Sequence, residues 1–262
     1  MTRFAVSADG TRIAYDVHGA TAGAAGTAGT AGDGGAGTGQ PPILLVHGFA
    51  SDPRVTWEAT GWVRFLQRAG REVITVDLRG HGRSDSPVDA ARYAPDVQAA
   101  DLRAVLDGAR VSIADVVAYS MGARIASALA RLAPSSIRRL VLGGTGPLEV
   151  FATWRGGDDE RMLRTADFDG NPIARAVVGP ALAAGADPAV LLACIRGMTG
   201  APLLRPGEIP VLIVVGELDP VGAGAAELAV EWRAAFASIP GRDHINVLTA
   251  RVFKDAALVF LG

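Results

Sequence analysis

Continuous apolar runs of four or five residues recur along the chain and alternate with longer amphipathic segments. The runs share high apolar content and occupy residues 43–46, 73–77, 115–119, 140–143, 211–215 and 235–239. Such runs are typical of strands buried on both faces of a parallel sheet. The amphipathic segments predict helices at residues 62–69, 96–108, 121–132, 223–232 and 246–261. This alternation predicts an α/β fold with a doubly wound sheet.

The N-terminal region has a different pattern. Residues 4–7 and 11–17 read as two short strands around an Asp9-Gly10 turn, which favours an antiparallel hairpin. The hairpin would form an edge and bring the mostly parallel sheet to about eight strands. Residues 19–40 contain almost only Gly, Ala and Thr, so little side-chain surface offsets the entropy of ordering them. We therefore expect a flexible loop there.

Residues 146–206 interrupt the regular alternation. The segment is far longer than the roughly 2 to 6 residues usual between a strand and a helix. We interpret it as a helical cap inserted into a core made of residues 1–145 and 207–262. Its aromatic side chains Phe151, Trp154 and Phe168 could line a substrate pocket. The alternative is a helical insertion that packs only on itself.

Composition narrows the classes of function. Hydrophobic residues make up 49% of the 262 positions, charged residues 20%, and the net charge is -2, all ordinary for a soluble globular protein. The basic residues are scattered, which argues against nucleic-acid binding. The sequence shows no secretory-signal pattern and no apolar run of membrane-spanning length, so we expect a cytoplasmic protein without a membrane partner. Cys194, the single cysteine, lies in an apolar stretch that favours a buried, inert thiol.

The most informative segment surrounds Ser120. An apolar strand runs into this serine and a helical pattern follows at once, which predicts a sharp turn that lifts the hydroxyl above the sheet. Such a nucleophile elbow needs small residues two positions before and after the serine, and Ala118 and Gly122 meet that need. The alternative is an ordinary serine N-cap.

Five segments, taken in order, resemble the α/β-hydrolase family. They are His47-Gly48-Phe49, the stretch at residues 77–84, the stretch at 118–122, Gly216-Glu217-Leu218-Asp219 and Gly241-Arg242-Asp243-His244. The resemblance covers nearly the whole chain except residues 19–40 and much of 146–206. One departure is Ala118, which stands where the family usually has glycine. The resemblance implies an α/β-hydrolase fold with a serine nucleophile.

The resemblance also implies roles for particular residues. The family order of nucleophile, acid and histidine makes Ser120 the nucleophile and His244 the general base, since His244 alone among the histidines follows both other positions. Asp219 is the expected acid, and Glu217 is its rival. Asp243 is interpreted as a loop residue.

Acyl transfer needs donors that converge on the developing negative charge, and the resemblance implies that these are the backbone amides of Phe49 and Met121, which would form the oxyanion hole. His47 lies too early in the chain for the family's base and is expected to have a scaffolding role. The stretch at residues 77–84 more plausibly shapes its loop than contacts substrate.

The expected reaction is hydrolysis of a small-molecule carboxylic ester through an acyl-enzyme, without metal or organic cofactor. A lactonase, thioesterase, amidase or carbon-carbon bond hydrolase would use the same residues. The last would need to recognise a carboxylate, for which the segment 146–206 offers five arginines that could equally be solvated: Arg155, Arg161, Arg164, Arg175 and Arg196. A serine nucleophile argues against the epoxide hydrolase and haloalkane dehalogenase branches. A different class, a slow-turnover ligand sensor that signals through its cap, also fits.

Overall fold

The computed structural model describes residues 1–21, 39–154, 158–168 and 170–262. Of the loop expected at residues 19–40, residues 22–38 lie outside this described part. Within it, the strands are β1 (Arg3–Val6), β2 (Arg12–His18), β3 (Ile43–Val46), β4 (Val73–Val76), β5 (Ala114–Tyr119), β6 (Ile137–Gly143), β7 (Val211–Gly216) and β8 (Ala235–Ile239). The helices of the same ranges are α1 (Trp62–Arg68), α2 (Pro95–Gly108), α3 (Met121–Leu132), α4 (Asp158–Thr165), α5 (Pro172–Ala183), α6 (Pro188–Met198), α7 (Ala225–Trp232) and α8 (Arg251–Leu261).

The described strands form one eight-stranded sheet in the order β1-β2-β4-β3-β5-β6-β7-β8. β1 pairs antiparallel with β2, and β2 pairs antiparallel with β4, whereas the pairs from β4 to β8 are parallel. The predicted fold class, a mostly parallel sheet with an antiparallel N-terminal edge, is confirmed.

The sheet is covered on both faces, which explains the unbroken apolar runs. In β3, Leu44 and Val46 belong to a core shared with residues of α2, α3 and α7, whereas Ile43 and Leu45 belong to a second core shared with α1 and α8. Successive side chains of a strand point to opposite faces. Every position of β3 therefore has to be apolar, and none of its four side chains is exposed.

The prediction of one continuous helix at residues 246–261 is wrong. The segment 246–261 contains a 3₁₀ turn at Asn246–Thr249 and then α8, with the extended residue Ala250 (ψ 126°) between them. The break arises because Asp243 holds the first turn, accepting hydrogen bonds from the amides of Ile245 and Asn246. A continuous apolar periodicity does not reveal such a local cap.

The insertion between β6 and β7 contains α4, α5 and α6 and packs on the rest of the molecule. Val190, Leu191 and Cys194 of α6 lie in the same hydrophobic core as the sheet. The alternative that this segment packs only on itself is therefore wrong. Cys194 is fully buried, and burial raises the pKa of its thiol, which fits the inert role expected from the sequence.

The parallel strands place four loops at one edge of the sheet. The loops after β3, β5, β7 and β8 all leave from the carboxyl ends of their strands, which is where ligands bind in open α/β sheets. In the described part of the chain, no helix is long and apolar enough to cross a membrane.

Two glycines, one in α6 and one in α5, allow a matched test of whether α6 packs closely on the core. A Cβ at Gly197 in α6 would lie 2.2 Å from the carbonyl oxygen of Ala90, whereas one at Gly179 in α5 would lie 3.5 Å from the Phe168 ring. We expect Gly197→Ala to lower the free energy of unfolding in urea by about 1–3 kcal/mol. Gly179→Ala should leave it unchanged or raise it by up to about 1 kcal/mol. Equal effects would contradict close packing of α6 on the core.

Candidate active site

Ser120 lies at the junction between β5 and α3 in a strained backbone conformation. Its φ of 55° and ψ of -120° place a non-glycine residue in the left-handed region. Strain of this kind costs about 1–3 kcal/mol and persists only where surrounding structure enforces it. The Ser120 amide donates to the carbonyl of Gly143 on the neighbouring strand at 2.9 Å, and its carbonyl accepts from Ala123 at 2.9 Å. These bonds hold the elbow that the sequence predicts.

Gly122 allows the elbow to form because α3 begins very close to the end of β3. A Cβ at Gly122 would lie 2.4 Å from the carbonyl oxygen of His47 and 2.7 Å from that of Val46. Both obstacles are backbone atoms that cannot rotate away. Ala118 is fully buried, so the fold accommodates the methyl group that distinguishes it from glycine.

Ser120, His244 and Asp219 form a continuous hydrogen-bonded chain. The Nε2 atom of His244 lies 3.1 Å from Ser120 Oγ, and its Nδ1 atom lies 2.9 Å from Asp219 Oδ2. Asp219 Oδ1 accepts a second hydrogen bond, 2.9 Å long, from the amide of Val221. The His244 and Asp219 side chains are buried, so their mutual hydrogen bond is shielded from water.

The rival acid Glu217 has a different contact. Its exposed carboxylate accepts a hydrogen bond from the amide of Gly241 at 2.8 Å and thereby ties β7 to the loop that carries His244. Asp243 caps the turn that follows His244. The structure thus places Asp219, and neither of these two carboxylates, against the histidine.

Tyr119 supports the histidine from behind, a contact that the sequence did not suggest. Its hydroxyl donates to the carbonyl of His244 at 2.5 Å, and the two rings lie 5.2 Å apart. Burial raises the pKa of this phenol well above its usual value, so the hydroxyl keeps its proton. Strand alternation was the one sequence feature that bears on this contact. Successive residues of a strand point to opposite faces, so the side chain of Tyr119 cannot share the direction of Ser120.

The loop after β3 brings backbone amides to Ser120. A Cβ at Gly48 would lie 3.2 Å from that of Ser120, so the loop passes directly over the serine. The amide of Met121 is at the first position of α3, where no intrahelical acceptor exists. In the described part of the chain, the Phe49 amide also donates no hydrogen bond. Among the described residues, neither amide is therefore engaged by another acceptor.

Two buried histidines hold this loop in place. The His47 ring contacts the Gly48 carbonyl through Nδ1 at 2.7 Å and accepts from the Leu78 amide through Nε2 at 3.0 Å. The His81 ring contacts the Arg79 carbonyl in the same way and accepts from the Ala50 amide at 3.0 Å. Each ring needs one protonated and one bare nitrogen for this. Burial lowers the pKa of His47 to about 4 and that of His81 to about 3, which keeps both neutral.

A cavity of about 480 Å³, including open solvent at its mouth, lies beside Ser120. It is mostly apolar, and the residues that line it are Phe49, Ser120, Met121, Arg124, Thr145, Leu148, Glu149, Val150, Phe151, Trp154, Ile173, Val177, Val221 and His244. The cavity therefore combines the reactive groups with an apolar enclosure.

Two of the three aromatic residues expected in the pocket line the cavity, and the third does not. Phe151 and Trp154 line the cavity and meet Phe49 edge to face, with ring centroids 5.0 and 6.2 Å apart. Phe168 lies outside the cavity wall, buried next to Gly179 and under the guanidinium of Arg175. An aromatic residue inside a helical insertion can face either the cavity or a neighbouring helix, and the sequence does not distinguish these.

The arginines considered for carboxylate recognition also lie elsewhere. Arg155 is outside the described residues. Arg164, Arg175 and Arg196 are exposed and Arg161 is half-buried, and none of these four lines the cavity. Instead the cavity contains Arg124, which sequence reasoning missed although it follows Ser120 by one helical turn. Burial lowers the pKa of Arg124.

Within the described ranges no cluster of three or more His, Cys, Asp or Glu side chains could hold a metal ion. The site's chemistry is built from a serine, a histidine, a carboxylate and backbone amides. This combination suits nucleophilic attack on a carbonyl carbon.

Comparisons with known proteins agree with this architecture. A family model described as alpha/beta hydrolase fold matches residues 41–186. The 2-hydroxymuconate semialdehyde hydrolase of a Pseudomonas species is 40% identical over 105 residues, 40% of this chain and 36% of that protein. The 2-hydroxy-6-oxononadienedioate/2-hydroxy-6-oxononatrienedioate hydrolase of Burkholderia vietnamiensis is 40% identical over 123 residues, 44% of this chain and 40% of that protein. The matches thus span less than half of these curated relatives.

Among solved structures, a hydrolase from Pseudomonas aeruginosa superimposes with a TM-score of 0.71 at 26% identity. This match covers 100% of the present chain and 98% of the other. The similarity therefore extends over the insertion as well as the sheet.

The neutral state of His47 predicts a specific pH dependence of stability. An unfolded histidine has a pKa of about 6.5, so between pH 6.5 and about 4 the unfolded chain binds more protons here than the folded chain. The free energy of unfolding should therefore fall as the pH falls through this window. In His47→Gln, whose amide supplies one donor and one acceptor, the slope measured by urea unfolding should decrease by up to about 1.4 kcal/mol per pH unit.

His81→Gln provides a second test of whether a buried histidine is held neutral. His81 is neutral in the folded protein and protonated in the unfolded chain over the same pH range. Its slope should decrease in the same direction as that of His47→Gln. Identical slopes for the wild type and both variants would show that neither imidazole is held neutral.

Proposed function

Because the chain belongs to the alpha/beta hydrolase fold family, we propose that it hydrolyses a small-molecule carboxylic ester through an acyl-enzyme on Ser120. The observation that carries this proposal is the hydrogen-bonded chain from Ser120 through His244 to Asp219 at the wall of a mostly apolar cavity. The two curated relatives described above are named as hydrolases.

In the proposed acylation step, Ser120 Oγ attacks the ester carbonyl while His244 Nε2 takes its proton across the 3.1 Å hydrogen bond. Asp219 fixes the tautomer with the proton on Nδ1 and stabilises the imidazolium that forms. The amides of Phe49 and Met121 donate to the oxyanion of the tetrahedral intermediate. His244 then protonates the departing alcohol, which leaves an acyl group on the serine.

In deacylation, a water molecule takes the place of the alcohol. His244 removes a proton from this water as it attacks the acyl carbonyl, and the same two amides stabilise the second oxyanion. The proton then passes to Ser120 Oγ as the acid departs. The residues' arrangement is the same at the beginning and end of the cycle.

In this proposal residues 146–206 act as a cap that selects the substrate. Phe151 and Trp154 bring an aromatic wall to within contact of Phe49, and α5 contributes Ile173 and Val177. A lining of mostly apolar and aromatic side chains with a few polar groups is typical of small-molecule sites. On the basis of this lining we favour a small ester.

The two curated relatives favour a second candidate, hydrolysis of a carbon-carbon bond beside a carbonyl group. Their names assign them 2-hydroxymuconate semialdehyde and hydroxy-oxo dioates as substrates. The same serine, histidine and amides could serve either reaction. Assays of simple esters, lactones and thioesters beside a hydroxy-oxo-dienoate would rank the classes.

Ser120→Ala should lower kcat/KM for a short-chain 4-nitrophenyl ester by at least about 10⁴-fold, because it removes the hydroxyl that is hydrogen-bonded to His244 Nε2. Ser127→Ala makes the same substitution at a buried position two turns later in α3 and should stay within a few-fold of wild type. Mass spectrometry after treatment with an alkyl fluorophosphonate should find a single adduct on Ser120. Equal turnover by wild type and Ser120→Ala would refute the proposal.

Asp219→Asn should reduce kcat by about 10³- to 10⁴-fold, because an amide facing Nδ1 favours the wrong tautomer of His244. Glu217→Gln, the matched change at the rival position, should retain most activity, since its carboxylate accepts from the Gly241 amide and, among the described residues, Asp219 is the acid that contacts His244. Rates for both variants with the same ester decide between the two acids. A larger loss in Glu217→Gln would reverse the assignment.

A further inference from the structure

Arg124 brings a positive charge into the cavity that also contains Ser120. It lies four residues after the serine in α3, which places it about 6 Å further along the helix axis. Its side chain is buried, with 6% of the residue exposed, and it lines the cavity wall. Most other lining side chains are apolar. A buried cation in such surroundings is costly unless an anion or several acceptors compensate its charge.

The hydrogen bonds of Arg124 compensate this charge only in part. Its Nη1 donates to the carbonyl of Ala201 at 2.9 Å, and its Nη2 donates to those of Leu148 at 2.7 Å and Gly146 at 3.4 Å. A guanidinium has five N–H donors, so two of them, including that on Nε, have no acceptor among the described residues. The described carboxylates also form no ion pair with Arg124 within 4.0 Å.

Glu149, the other charged residue of the cavity wall, is already engaged. Its carboxylate accepts hydrogen bonds from the amides of Phe151 at 2.6 Å, Ala152 at 2.8 Å and Gly200 at 3.0 Å. These bonds join the beginning and the end of the insertion. Glu149 therefore stabilises the beginning and the end of the insertion. Burial lowers the pKa of Arg124 and the nearby negative charge of Glu149 partly offsets this effect, but the hydrogen bonds that Glu149 accepts come from backbone amides and leave the two unused donors of Arg124 available.

We propose that Arg124 binds a carboxylate of the substrate, so that the preferred ester carries an anionic group at the end of its acyl chain. This inference rests on the proposed ester hydrolysis at Ser120. A carboxylate that accepts from the unused donors would form charge-assisted hydrogen bonds, which are stronger than those to a neutral group. The apolar wall formed by residues such as Val177 and Trp154 would contact the alkyl chain between the two ends.

The alternative is that Arg124 only ties the two ends of the insertion to α3 through backbone carbonyls. Ser127, one turn later, makes a comparable tie without a charge, since its hydroxyl donates to the Leu204 carbonyl. Ser127→Ala thus disturbs the tether alone. Arg164→Met is a second control, because it removes one positive charge from an exposed position outside the cavity.

The decisive assay uses the 4-nitrophenyl monoesters of glutaric and adipic acid. Each is compared with a neutral ester in which an isopropyl group replaces the free carboxylate. We expect wild type to prefer the charged member of each pair that fits. Arg124→Met should reduce this preference by about 10- to 100-fold, chiefly through KM, and leave the neutral ester within a few-fold. Arg124→Lys should restore part of the preference, and both controls should keep all of it.

Two outcomes would overturn the inference while the ester hydrolysis stands. One is an unchanged preference in Arg124→Met. The other is an equal loss of activity on charged and neutral esters, which would make Arg124 a tether of the insertion. Hydrolysis of no ester beyond the Ser120→Ala background would instead refute the proposed function.

A binding measurement keeps the inference testable even in that last case. Monomethyl adipate should bind to the Ser120→Ala protein in isothermal titration calorimetry, and adding Arg124→Met should weaken its affinity at least about 10-fold. Adding Ser127→Ala should not. Equal affinities with and without Arg124, or no binding to either protein, would show that this arginine does not receive a carboxylate.

Discussion

The first turn of α3 lies against the backbone at the end of β3, and the geometry of the site depends on this close approach. Gly122 faces the carbonyl oxygens of His47 and Val46 with no room for a side chain. The approach leaves Ser120 no relaxed conformation between β5 and α3, so the serine takes a positive φ. It also brings Gly48 over the serine, and with it the amide of Phe49. One steric constraint therefore positions both the nucleophile and the amides proposed to stabilise its oxyanion.

Their hydrogen-bond partners give the three buried histidines around this constraint different roles. His47 and His81 are surrounded by protein, stay neutral and use each ring as a rigid bridge between two backbone groups. The His244 ring contacts Asp219 through Nδ1 and Ser120 through Nε2, and its backbone carbonyl accepts a hydrogen bond from the Tyr119 hydroxyl. The first two rings hold the loop, and the third is the one in position to exchange protons.

The insertion between β6 and β7 is fastened to the core at its two ends. Arg124 reaches carbonyls at both ends, Glu149 joins amides at both ends, and Ser127 adds a further bond to the exit. Meanwhile α6 is packed into the main hydrophobic core through Cys194 and its neighbours. The cavity wall near Ser120 therefore depends on polar contacts made from α3, and a substrate that engages Arg124 would meet the same contacts.

The sequence alone determined the sheet and the elbow, because both depend on local patterns. Runs such as residues 43–46 must be apolar when both faces of the sheet are covered, and the strand-serine-helix pattern at Ser120 is contiguous. The positions of Asp219 and His244 followed from the chain order implied by the family resemblance. The break at Ala250 was missed because a cap by one side chain leaves the periodicity intact.

Tertiary structure decided which side chains line the cavity. Phe168 and Phe151 look alike in the sequence, yet only the packing of the insertion directs one into the cavity and the other against Gly179. Arg124 bonds to carbonyls up to 77 residues away, and any residue type has a carbonyl, so no pattern of side chains could reveal its partners. Contacts between a side chain and a distant backbone are set by the fold, and the sequence does not encode them locally.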